Sequence, residues 1–175
     1  MANLAIPREQ VHELAEACSD AGDAFQSSAG RLLKEQRTLS RFFEKNFAEM
    51  GPVPGQVSLY MLSVVIRIFE QVGGRLKKVN GQLISQSASR IQEAASDCPT
   101  DTPFPEWAKS VEWRAQPHIL DEVIWALYER EDEEEKEEEV KMDDGQSAMI
   151  YMMLWAAVEA LDARWSPPSN WAPEA

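Results

Sequence analysis

The sequence predicts an all-α protein: a long antiparallel helical hairpin with a C-terminal helix pair packed on it, a helical bundle within a single domain, 1–175. Three observations carry that reading. Apolar residues recur at three-four spacing along most of the chain. The stretch "GPVPG", Gly51 to Gly55, breaks two long periodic segments. The last periodic segment, "QSAMIYMMLWAAVEALDARW", is apolar on nearly every side, as a central helix must be.

The first arm begins near Pro7, a residue suited to a first helical turn. Its stripe is Val11, Leu14, Cys18, Ala21, Phe25, Leu32 and Leu39, with Phe43 and Met50 after a drift of phase. Gly22 and Gly30 are candidate divisions. Beyond the Gly51–Gly55 turn, Leu62, Val65, Phe69, Val72, Leu76, Val79 and Leu83 form a heptad-like seam, and Ile84, Ala88 and Ile91 extend it. Gly73–Gly74 and Asn80–Gly81 each disfavour a helix interior by about 1 kcal/mol. The seam keeps its phase across both, which predicts one helix from about Gln56 to Ser96 and a hairpin over 7–97.

Residues 98–116 hold three prolines within seven positions, followed by Trp107 and Trp113. Such aromatics need somewhere to pack, so the segment reads as an ordered connector. Pro117 opens a third helix with the stripe Leu120, Val123, Ile124, Leu127 and Tyr128. Asp143 with Gln146 three residues on has the spacing of a capping box for the last helix, about Gly145 to Trp165. The C-terminal pair thus spans 117–165 around an acidic loop, 129–144, and the prolines of 166–175 make a non-helical tail.

The net charge of −13 is unevenly placed. Residues 1–98 carry eleven basic and eleven acidic side chains, whereas residues 130–144 alone hold ten carboxylates. The densest apolar run, Val57 to Phe69, is too short for the roughly twenty residues of a membrane span, and "MANLAIPREQVHEL" is charged where a secretory signal is apolar. Two cysteines, Cys18 and Cys98, are no disulfide framework, which predicts a cytoplasmic protein with free thiols.

Chemistry finds few footholds. Glu133, Glu134 and Glu137 spell E-E-x-x-E, and Glu159 with Asp162 spells E-x-x-D. All-α nucleotide pyrophosphohydrolases of the MazG-like kind hold Mg²⁺ with that pair of patterns, because hard cations take several converging carboxylates. A run this dense matches E-E-x-x-E in almost any register, and only Val140 and Met142 offer it an apolar anchor. It reads as a solvated loop. A di-iron site needs two E-x-x-H pairs. Glu9 and His12 make one, but Ala115 stands three residues before His118. Both histidines therefore read as surface residues. Neither cysteine has a histidine at local spacing, and no G-x-S-x-G or phosphate-cradling loop occurs.

Arg31, Lys34, Arg41 and Lys45 share a helical face near Arg67, Arg75, Lys77 and Lys78. A nucleic-acid surface would use them on phosphates. Interleaved Glu35, Glu44 and Glu70, and the lack of stacking aromatics, favour an ordinary solvent face. Glu70 and Glu159 are the carboxylates most embedded in apolar sequence, with Arg67 and Arg164 as candidate partners. Met149, Met152, Met153 and Trp155 read as core.

The sequence thus assigns no catalytic, cofactor-binding or metal-ligating residue and no family. It points to a non-enzymatic, cytosolic helical protein acting through protein–protein interaction or assembly. The alternatives are a Mg²⁺-dependent pyrophosphohydrolase and, more weakly, nucleic-acid binding by the basic face. A hairpin with arms of forty residues would be about 60 Å long at 1.5 Å per residue. The C-terminal pair covers only part of that, which predicts a homodimer.

Overall fold

The computed structural model describes residues 3–129, 142–169 and 171. Residues 130–141 of the acidic loop and half of the tail, 170 and 172–175, lie outside the described residues. The all-α bundle stands; the single helix from about Gln56 to Ser96 does not. The first arm is α1 (Arg8–Ala21), α2 (Asp23–Glu35), α3 (Arg37–Glu44) and α4 (Phe47–Met50). Its stripe survives the divisions, with Val11, Cys18, Phe25, Leu32, Leu39 and Phe43 all buried. Gly22 divides α1 from α2 at a φ of 54°, while Gly30 stays inside α2.

The unforeseen break is Gln36. Its φ of −109° and ψ of 55° end α2. Its buried carboxamide donates to the Lys77 carbonyl at 3.2 Å and accepts from the Val79 N–H at 3.0 Å. The Ser40 hydroxyl donates to the Leu33 and Gln36 carbonyls, a reach of seven residues that a straight helix does not allow. The polar side chain at this bend is fully satisfied, which is how a glutamine comes to sit in the core.

The antiparallel turn survives locally, where α4 meets α5 (Pro52–Val72), but it shrinks to Gly51 at a φ of 88°. Pro52 takes the first helical position, where its missing N–H costs nothing, so "PVPG" is helix rather than loop. α5 has 21 residues and is long and apolar enough, by length and composition, to cross a membrane. Half of its apolar window is buried in the bundle, against α1, α2 and α9 among others.

The second arm breaks where the phase of its seam suggested continuity. Gly73 and Gly74 have φ of 102° and 80°, and β1 (Arg75–Leu76) follows, pairing antiparallel with β2 (Trp165–Ser166). A Cβ on Gly74 would lie 2.2 Å from the Ser166 carbonyl oxygen. The Trp165 indole donates to the Gly73 carbonyl at 2.9 Å, and the Lys77 N–H donates to Arg164 at 3.0 Å. Asn80 caps α6 (Gly81–Ala95) by accepting from the Leu83 N–H. The seam keeps its phase because α9 (Asp144–Arg164) lies against both α5 and α6, so both sides of the break need apolar residues facing it.

The connector is ordered and contains α7 (Phe104–Ser110). Trp113 stacks on Trp155 at 5.0 Å, Phe104 meets Tyr151 at 5.7 Å, and the Arg90 guanidinium lies 4.0 Å over Trp113. Pro117 opens α8 (Pro117–Ile124), which runs into a π-helical turn, Trp125–Glu129. The Asp143–Gln146 capping box is formed. α9 is the axis of the bundle, with almost every side chain from Ile150 to Asp162 buried.

Candidate functional site

α1, α5 and α8 leave an open apolar trough between them, a cavity of about 250 Å³. Val65, Ile68, Ile119 and Val123 are buried at its floor, and Met61, Val64 and Ala15 line it while half-buried. The π-helical turn, which accommodates an extra residue per turn, brings Trp125 and Ala126 to its wall. Tyr60, one of three large apolar side chains that stand exposed among the described residues, borders it. Ser19, Glu16 and Asp20 make the opposite rim, and all three are exposed.

A carboxylate stands in the wall. Glu122 is 7% exposed, set among Ile119, Val123 and Ile124 of α8. Arg8 forms an ion pair with it, and His12 Nδ1 lies 2.8 Å from its Oε1. His12 Nε2 lies 3.1 Å from Glu16 Oε1, so the ring is bracketed by two carboxylates. The hydrogen bond to Glu122 raises the His12 pKa against an opposing effect of burial. The Trp125 ring meets His12 edge-on at 5.4 Å. This cluster clamps α1 to α8. His12 is a half-buried ion-pair partner rather than the surface residue the sequence suggested.

The other candidates are engaged structurally. Glu159 accepts from the Ala115 N–H at 2.5 Å, and burial pushes its pKa up; the cation whose charge opposes that shift is Arg90 rather than Arg164. Arg164 donates instead to the Lys78 carbonyl. Asp162, 4% exposed, accepts from the Asn3 backbone N–H at 3.1 Å, from its side-chain amide at 3.3 Å and from the Gln116 amide at 3.0 Å. Both residues of the E-x-x-D pattern thus hold the N-terminal segment and the α7–α8 junction onto α9. Glu133, Glu134 and Glu137 lie outside the described residues.

Glu70 pairs with Arg67 as anticipated, and with Arg31 at 2.9 Å, whose hydrogen bond lowers its pKa. That ties a member of the basic face to α5. Glu9 takes no part in the His12 cluster. Among the described residues no three His, Cys, Asp or Glu side chains converge as metal ligands, and both cysteines are free thiols.

Sequence reasoning missed Glu122, Arg8, Gln116 and Asn3. Glu122 had no signal, because it follows Asp121 and stands four residues after His118, where the sequence reads as a polar helical face. Gln116 had none, since its left-handed backbone (φ 50°) depends on tertiary contacts. No protein-family model, curated protein or solved structure matches the chain.

Proposed function

We propose that this protein is a non-enzymatic interaction module and that the α1–α5–α8 trough is its working surface. The observation that carries the reading is a contrast of availability. The carboxylates of the E-x-x-D pattern, Glu159 and Asp162, are held by backbone and side-chain donors, whereas the trough presents apolar side chains to solvent. An apolar groove open to solvent is the kind of surface that contacts use.

The premise of the dimer, an uncovered seam about 60 Å long, is absent, because both arms are divided into shorter helices, and α5 and α6 both pack on α9. A homodimer is still a proposal that light scattering coupled to size exclusion decides, by a mass near 19.8 kDa or about twice that. The module reading is tested with Nile red, a neutral apolar dye. It should bind the parent chain and lose its fluorescence enhancement in Ser19→Trp, which fills the trough from an exposed position. Incubation with nucleoside triphosphates and Mg²⁺ should release no pyrophosphate. Turnover that vanishes in Glu159→Gln would replace the module with an enzyme.

A further inference from the structure

We infer that the trough receives the apolar face of a basic amphipathic helix supplied by a partner protein. This rests on the trough being the working surface and names its occupant from charge, size and shape.

The charge is one-sided. Glu9, Glu13, Glu16 and Asp20 stand at i, i+4, i+7 and i+11, a single stripe along α1, and all four are exposed. Glu16 and Asp20 border the trough, and no lysine or arginine lines it. The cations nearest the stripe, Arg8 and His12, are engaged by Glu122 and Glu16. Glu9, Glu13 and Asp20 have no ion-pair partner among the described residues. The net charge of −13 would steer a cationic partner from a distance. A nucleic acid or an anionic membrane would be repelled by the same field.

Size favours a side-chain socket. At about 250 Å³ the cavity lies just under the roughly 300–1,000 Å³ of small-molecule sites. It suits one or two large apolar side chains of a longer element. The trough is an apolar groove walled by α1, α5 and α8, the setting in which an amphipathic helix docks by residues at i, i+3 or i+4 and i+7. Basic residues beside that apolar face would then meet Glu16 and Asp20. A second copy of this chain is the weaker occupant, because each copy carries −13.

The test uses the full chain and three labelled 18-residue helical peptides with one leucine face and a polar face of lysine, glutamine or glutamate, read by fluorescence anisotropy. The lysine peptide should bind about tenfold or more tighter than the glutamine peptide at low salt, the gap closing as salt screens the rim. The glutamate peptide should not bind. Ser19→Trp should weaken both binders. Glu16→Lys with Asp20→Lys should weaken the lysine peptide alone, and Glu93→Lys on α6 should change neither. All four positions are exposed, and circular dichroism checks that each variant folds. Equal affinity for the lysine and glutamine peptides would overturn the basic partner while leaving the trough in use. Lysine-peptide binding that survives Ser19→Trp would overturn it too, placing the attraction elsewhere on the acidic surface. If no peptide binds but Nile red still responds to Ser19→Trp, the inference falls and the module reading survives. If neither ligand binds, both fall.

Discussion

Asp162 and Glu122 are both carboxylates buried on a helix, 4% and 7% exposed, and they differ in who surrounds them. Asp162 is enclosed by Asn3, Gln116 and the Trp165 backbone, to which Asn3 also bonds at 2.9 Å. Every donor there is a neutral amide from a distant part of the chain. Glu122 is met by Arg8 and His12, whose side chains are 37% and 38% exposed, at the edge of an open trough. One carboxylate closes the fold and the other stiffens the wall of a surface. The lesson is that a buried acid in an apolar helix marks a junction, and its neighbours' access to water decides whether the junction is a clasp or a border.

Mutation should separate the two. Asp162→Ala strips the Asn3 backbone N–H of its acceptor and takes one of two acceptors from the Gln116 amide, and should cost about 2 kcal/mol in urea unfolding. Glu122→Ala leaves partners that water reaches, so the loss should be near 1 kcal/mol. Equal losses would erase the distinction. Gly74→Ala probes the clasp from its other side. The φ of 80° and the clash with Ser166 should together cost about 2 kcal/mol, with β1 and β2 parting first.

The border should also respond to pH. His12 titrates above its ordinary value of about 6.5 in the folded state. Its bond to Glu122 therefore stabilises fully below that value and fades as pH rises through the folded pKa. His12→Ala should lower the melting midpoint at pH 5.5 and change it less at pH 8, by under about 1 kcal/mol because the ring is partly solvated. The smallest effect belongs to Glu159→Gln. Its raised pKa means that the charged form is disfavoured by burial, so removing the charge should leave the midpoint equal or higher at pH 7.5, and the difference should shrink towards pH 4. A loss at pH 7.5 would show that the charge itself is needed.

How legible this was follows from the range of each interaction. The buried stripe from Val11 to Phe43 and the all-round apolar α9 are periodic, and burial follows period, so both could be read directly. The capping box needs only residues 143 and 146, and it formed as the spacing suggested. Helix breaks were less readable. Gly73–Gly74 looked tolerable at about 1 kcal/mol each, but a contact 92 positions away, from Trp165 to Gly73, decides their conformation. Gln36 is an ordinary helix former until Val79 and Lys77 arrive to bond it. The trough was illegible for the same reason: it exists only where α1, α5 and α8 meet. Its acidic rim, the four-carboxylate stripe of α1, stands in the sequence without a sign of what adjoins it.

The claim that the trough is the working surface and the α9 clasp is scaffold has one direct measurement. Backbone amide resonances of the ¹⁵N-labelled chain would be followed while the lysine-faced helical peptide is added. Shifts should concentrate on residues 15–20, 60–68 and 119–126, and Asn3, Gln116 and Asp162 should stay in place. Shifts centred on Asn3, Gln116 and Asp162, with residues 15–20 and 60–68 unmoved, would contradict it.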